Sequence, residues 1–289
     1  MSPTPTSSPP ERGVERIRAA FAAALTQDRA AFMPYQMLGH PTPEMSPLVI
    51  EALAAAGADL FELGMPFSDP LADGAVIQAA GQVALDQGIT VDRCLSLVTA
   101  LRSAIPDRPF CLMGYINPIL AHGIERFVRQ AAEAGVDGLI VPDLPPDEPE
   151  AEELAALCAR FGIVPIYLLA PTSTAERIEL AVARSRGFVY LVSVTGITGA
   201  RTTLAPDLSD FVQRVRAVAE RRPLGERPYL AVGFGISSPE LSAQVAQIAD
   251  GVIVGSALVR LAGSSLDPVH DVAALGASMA KAAKRPVSS

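Results

Sequence analysis

Short apolar runs alternate with longer stretches in which apolar residues recur every three or four positions, and the alternation repeats along most of the chain. The short runs predict strands at Phe32–Leu38, Leu60–Gly64, Pro109–Tyr115, Gly138–Val141, Val164–Leu169, Phe188–Val192, Tyr229–Gly233 and Gly251–Val254. Between them, helical periodicity predicts helices over about 47–56, 75–86, 91–104, 123–134, 148–161, 174–184, 208–221, 239–248, 256–262 and 270–284. One more amphipathic helix, residues 11–25, precedes the first strand. AGADLFEL and AGVDGLIV repeat one transition, in which glycine closes a helix just before a strand. Strands that alternate with helices form parallel βα units, and eight of them in about 250 residues match a single (β/α)8 TIM barrel, here with an extra N-terminal helix. A doubly wound sheet is the competing α/β arrangement. It fits less well, because MLGHPTPE after the first strand lacks a GxGxxG turn. No linker splits the chain, so residues 11–289 read as one domain, and the Ser/Pro/Thr-rich residues 1–10 read as a disordered extension.

Composition narrows the chemistry. Among 289 residues, 23 basic side chains face 31 acidic ones, a net charge of −8 and the wrong sign for nucleic-acid binding. No apolar run reaches the ~18–20 residues of a membrane span, and MSPTPTSSPPER has no apolar leader, which predicts a cytoplasmic protein. The three cysteines, Cys94, Cys111 and Cys158, are scattered and odd in number, which suits a reducing compartment and predicts neither a disulfide framework nor a zinc site. The only lysines are Lys281 and Lys284, in the C-terminal tail, which excludes a Schiff-base lysine in the core. Three dispersed histidines predict no His-rich metal site. Acid–base chemistry therefore falls mainly to carboxyls.

Barrel active sites lie at the C-terminal ends of the strands. In LFELG, alternation puts Phe61, Leu63 and Met65 toward the helices and turns Glu62 into the barrel near its top. A carboxyl there is either a proton shuttle with a raised pKa or half of a structural ion pair with an arginine. Asp69 and Asp73 follow in Asp-Pro and Asp-Gly steps that are also ordinary turn chemistry. Asp73 remains a second carboxyl on the same rim. Asp143, in VPDLPP, is a third candidate or a cap for the next helix. SVTGITGARTTL has the composition of a glycine-hinged lid or of an ordinary flexible loop. VGFGISS and VIVGSAL, at the seventh and eighth strand ends, suit a phosphate site built from Gly233, Gly235, Gly255 and Ser256, or tight turns with no ligand. Tyr35, Tyr115, Tyr190 and Phe234 fall at or near strand ends, where they line a flat pocket or pack the core.

Taken in order, ELGMPFSDPLADG, YLVSVTGITGAR, GFGISSPE and IVGSALV resemble the tryptophan synthase α-subunit family, from about Phe32 to Val259. The resemblance implies a lyase that cleaves indole-3-glycerol phosphate to indole and glyceraldehyde 3-phosphate without a Schiff base or metal. It puts the catalytic glutamate on Glu62 and the catalytic aspartate on Asp73. The lid falls on Gly196, Thr198 and Arg201, and the phosphate site on Gly199, Gly235, Gly255 and Ser256, with Phe234 beside it. Tyr35, Tyr115 and Tyr190 join the indole pocket. It also implies no cofactor in this chain, and a β subunit carrying pyridoxal phosphate, assembled as an α2β2 tetramer. That partner would meet the rim around Pro66–Asp73 and Asn117–Pro118.

His40 departs from the expected pattern, which more often has an acidic or aromatic residue there, and ERRPLGERP is slightly long. Three competing functions share the fold: another phosphate-binding barrel enzyme, an autonomous indole-producing lyase, and a binding subunit that has lost its chemistry.

Overall fold

The computed structural model describes residues 12–193, 204 and 206–285; the predicted extension 1–10 lies outside them. Among the described residues nine strands run β1 (Ala31–Met37), β2 (Phe61–Gly64), β3 (Phe110–Met113), β4 (Gly138–Ile140), β5 (Val164–Ile166), β6 (Leu168–Leu169), β7 (Phe188–Val192), β8 (Tyr229–Gly233) and β9 (Gly251–Val254). Every strand pair is parallel, in the order β5-β4-β3-β2-β1-β9-β8-β7-β6. The two ends of that order, β5 and β6, are consecutive in the chain and together span the single predicted strand Val164–Leu169. β5 pairs with β4, β6 pairs with β7, and the carbonyl of the intervening Tyr167 accepts from the Tyr190 N–H at 3.0 Å. The expected eight strands thus become nine because one strand changes partners at Tyr167, and the barrel closes there.

The connections are helical, as periodicity predicts: α1 (Arg12–Leu25), α2 (Met45–Ala55), α3 (Ala75–Asp86), α4 (Val91–Ala104), α5 (Ile116–His122), α6 (Ile124–Ala134), α7 (Pro149–Phe161), α8 (Ala175–Arg184), α9 (Leu208–Ala219), α10 (Pro239–Ala246), α11 (Ser256–Ser264) and α12 (Pro268–Ala282). Only α5 is unforeseen. INPILAH is too short to show a period, and Pro118 is tolerated because it lies in the first turn. Its emergence ends β3 two residues earlier than expected. Gly135 closes α6 in the left-handed conformation, φ 96°, as AGVDGLIV predicts.

α1 plugs the N-terminal mouth of the barrel. Its buried Ile17, Phe21 and Ala24 recur at helical spacing. The Phe21 ring stacks on Tyr229 at 4.8 Å and meets Phe188 at 5.5 Å. At this same end, three aspartates immediately ahead of strands make one repeated clamp. Asp59, Asp137 and Asp250 accept from the backbone N–H of Phe32, Phe110 and Leu230, at 2.8, 3.0 and 2.9 Å. Each also meets arginine: Arg29 at Asp59, Arg102 and Arg16 at Asp137, Arg216 and Arg285 at Asp250. Buried carboxylates with backbone donors and guanidinium partners are satisfied groups. The N-terminal face therefore carries stability, and the C-terminal face is left for chemistry.

Candidate active site

β2 presents Glu62 and Gly64 inward because side chains alternate along a strand. Glu62 stands across from Tyr35 on β1 and Cys111 on β3, and is only 1% exposed. Among the described residues it has no arginine partner. Its contact is the Tyr190 hydroxyl of β7, which donates to Oε2 across the barrel at 3.5 Å. Burial, with the Asp73 charge adding to it, raises the Glu62 carboxyl to about 8; the Tyr190 hydrogen bond opposes the rise.

Asp73 stands on the loop that follows β2, at the start of α3. Its carboxyl is raised to about 6 by burial, against a hydrogen bond from Tyr115. The Tyr115 hydroxyl also accepts the Ala72 N–H at 3.0 Å, and its ring lies 5.3 Å from Phe67. Asp69 is different: it is exposed and takes a hydrogen bond from the Ser68 hydroxyl at 3.0 Å, which makes it a turn residue. Asp143 is exposed too, and accepts the Ile116 N–H at the start of α5. Asp143 therefore does not cap the next helix, α7, whose cap residue is Glu148; it holds the first amide of α5, a helix earlier in the chain, and it does not join the carboxyl pair.

The tyrosines fill the barrel mouth so closely that glycine is required beside them. A Cβ on Gly64 would lie 2.0 Å from the Tyr35 hydroxyl, and one on Gly233 would lie 2.4 Å from that of Tyr190. Phe234 adopts φ 67°, uncommon for a bulky residue, and places its ring edge-on to Tyr190 at 5.9 Å between centroids. The buried Ser193 hydroxyl donates to the Phe234 carbonyl and anchors this turn. No sequence signal marked Ser193.

Gly235 follows with φ 79° at the end of β8. On the neighbouring strand, Gly255 is the cap of α11 and Ser256 its first residue; the first helical bond runs from Val259 N–H to the Gly255 carbonyl at 3.0 Å. The amides of Ser256, Ala257 and Leu258 thus precede any helical partner, the arrangement of an anion site. Gly196, Thr198, Gly199 and Arg201 lie outside the described residues. A cavity of about 850 Å3 opens over the mouth, with Asp73 and Phe234 on its wall, and continues past Leu168–Ala170 toward Arg177. Glu62, 1% exposed, does not line it. His40 is buried elsewhere, against Gly263 of α11, with Nδ1 unpartnered among the described residues.

A parallel barrel with two raised carboxyls at its C-terminal mouth is an enzyme scaffold built for acid–base chemistry from carboxyls. Comparison with known proteins makes this specific. The sequence profile of the tryptophan synthase alpha chain family matches residues 21–285. The chain is 48% identical to the tryptophan synthase alpha chain of Chloroflexus aggregans over 85% of this chain and 89% of that one. It is 46% identical to that of Phenylobacterium zucineum over 90% of each. Among solved structures, the tryptophan synthase alpha chain of Legionella pneumophila superposes with a TM-score of 0.80 at 36% identity, over 92% of this chain and 96% of that one. A chain of Mycobacterium tuberculosis tryptophan synthase gives 0.83 at 38% identity, over 93% and 98%. The chain belongs to the tryptophan synthase alpha chain family. It is a carbon–carbon lyase of tryptophan biosynthesis that cleaves indole-3-glycerol phosphate to indole and glyceraldehyde 3-phosphate, and its family implies a β-subunit partner.

Proposed function

We propose that Glu62 and Asp73 divide the proton chemistry of this cleavage between them. A retro-aldol step needs a sink for the electrons of the breaking bond. Protonating C3 of the indole ring turns the ring into that sink, an iminium-like species. Glu62, neutral up to about pH 8, is an acid for C3. Its conjugate carboxylate then takes the proton of the side-chain hydroxyl as the carbon–carbon bond breaks, so the same group gives and recovers one proton. Asp73, ionised above about pH 6, accepts the indole N–H and stabilises the positive charge that develops on the ring. The observation that carries this reading is the pair itself: two carboxyls at one mouth whose surroundings hold them in different protonation states near neutrality.

The remaining roles follow the same logic. Tyr35, Tyr115, Tyr190 and Phe234 form the walls against the indole ring, and Gly235, Gly255 and Ser256 hold the phosphate through backbone amides. Lid roles for Gly196, Thr198 and Arg201, and a phosphate contact for Gly199, rest on the family motif alone. The rim of Pro66–Asp73 and Asn117–Pro118, where Leu71 is 93% exposed, receives the β subunit, which carries pyridoxal phosphate in an α2β2 assembly and consumes the indole. The test is single-turnover cleavage by Glu62→Gln and Asp73→Asn. Loss of the bond-breaking step with substrate binding retained supports the assignment; wild-type rates in either variant remove that residue from the chemistry.

A further inference from the structure

Asp73 sits on a rim loop whose backbone is tied locally: the Asp73 N–H donates to the Pro70 carbonyl at 3.0 Å and the Gln78 side-chain amide of α3 donates to the Asp73 carbonyl at 2.8 Å, which leaves the carboxyl to be oriented separately. Leu71, two residues earlier, is almost fully exposed, and Asp69 faces solvent. What fixes the carboxyl is Tyr115, which is itself buried and touches the loop three times: at the Phe67 ring, the Ala72 N–H and the Asp73 carboxylate. Tyr115 hangs in turn from a two-residue span between β3 and α5. On one side the Gly114 N–H is bound to the Ile140 carbonyl of β4 at 3.0 Å. On the other, the Ile116 N–H is bound by both carboxylate oxygens of Asp143, at 3.0 and 3.3 Å. Both pins of the Tyr115 backbone therefore come from β4 and the turn after it.

We propose that Asp143 is a positioning residue for the reaction: by pinning the backbone beside Tyr115, it holds the tyrosine hydroxyl under Asp73 and so sets where, and in which protonation state, that carboxylate meets the substrate. The inference rests on the role of Asp73 given above. It links three successive strand ends, β4 to β3 to β2, through hydrogen bonds alone. Asp143 contacts neither the cavity nor the carboxyl pair.

The acidic limb of the kcat/KM–pH profile reads the proposal. Asp73 is faced by Glu62 from β2, Tyr35 from β1, Tyr190 from β7 and Tyr115 from the span after β3; Tyr115 is faced by Asp73 and Asp143. The Tyr115 hydroxyl favours ionised Asp73. Displacing it moves the acidic limb to higher pH, by about half a unit or more, a loss of roughly threefold or more in rate on that limb. Tyr115→Phe, which deletes only the hydroxyl, sets the size of that displacement. Asp143→Ala should move the limb the same way, and the double variant should go no further than Tyr115→Phe alone. Asp143→Asn keeps an oxygen for the Ile116 N–H and should behave as wild type.

The sign separates the alternatives. If Asp143 acted only through its charge, both neutral variants would move the limb to lower pH, because a nearby negative charge disfavours ionisation. A cap that served only the stability of α5 would lower the melting temperature and leave the limb in place. Either result overturns the proposal, as does a double variant whose effects multiply. Asp143 is exposed on a surface turn, so its removal leaves the core untouched; Asp143→Gln, which is too long to hold the same cap, is the second variant and should match Asp143→Ala. Asp73→Asn is run in parallel: full activity there overturns the role of Asp73 itself, which is a distinct outcome from a limb that fails to respond to Asp143.

Discussion

Glu62→Gln should cost the enzyme its turnover and make the folded chain more resistant to unfolding at alkaline pH. In the folded chain the carboxyl holds its proton up to about pH 8, against an ordinary value of 4.5. The unfolded chain therefore releases this proton first, and stability falls as pH rises through the interval between the two values. At about 1.4 kcal/mol per unit of pKa difference, the interval of roughly 3.5 corresponds to about 5 kcal/mol. About 3 kcal/mol of it accrues between pH 5.5 and 8. A glutamine has the same shape and no charge to bury, so it escapes this loss. Asp73 is also raised and also weakens the fold as pH rises, but it is present in both proteins and cancels in the comparison. The assay is urea unfolding of both proteins at pH 5.5 and pH 8. The stability difference should move in favour of glutamine by about 3 kcal/mol across that range, or somewhat less if the unfolded chain shields the carboxyl. A difference that is the same at both pH values would show that Glu62 is not held neutral, and the acid role would lose its physical basis.

Wild-type kcat/KM should follow a bell between about pH 6 and about pH 8, falling on the acidic side as Asp73 takes up a proton and on the basic side as Glu62 loses one; a flat profile across that range would contradict the division of labour. Asp73→Asn should lower kcat by a hundredfold or more, the scale of a lost charge-stabilising group, whereas an effect on KM alone would make Asp73 a positioning group only. Asp137→Ala removes the anion that Arg16 and Arg102 share and should destabilise the chain by about 3–5 kcal/mol in thermal or urea unfolding, with kcat unchanged in whatever fraction stays folded. Gly64→Ala should abolish activity by driving a methyl into the Tyr35 hydroxyl; a fully active, normally folded variant would show that the tyrosine can move aside freely.

The barrel was legible because its strands are buried apolar runs of the right length and its helices show a clear period. The inward turn of Glu62 followed from alternation in LFELG alone. Four features were not legible, each for a physical reason. The partner change at Tyr167 depends on barrel closure, a long-range constraint with no local signature. The helix α5 is shorter than the period that would reveal it. Asp59, Asp137 and Asp250 look like ordinary turn aspartates until the strands they clamp are placed beside them. Asp143 reads as a turn or as a cap for the next helix; that it holds the first amide of α5 instead, and with it Tyr115 against Asp73, appears only once three strand ends are adjacent. His40, which departs from the family pattern, is a buried side chain away from the carboxyl pair, and nothing in the structure explains its choice.

The most direct measurement is indole release from indole-3-glycerol phosphate by the purified chain and by Glu62→Gln, each with and without a β subunit. Slow release by the wild type that rises when the partner is added, and none from a folded Glu62→Gln that still binds substrate, is the predicted result. Comparable release by Glu62→Gln would contradict the account, because the proton it assigns to Glu62 would then have to come from elsewhere.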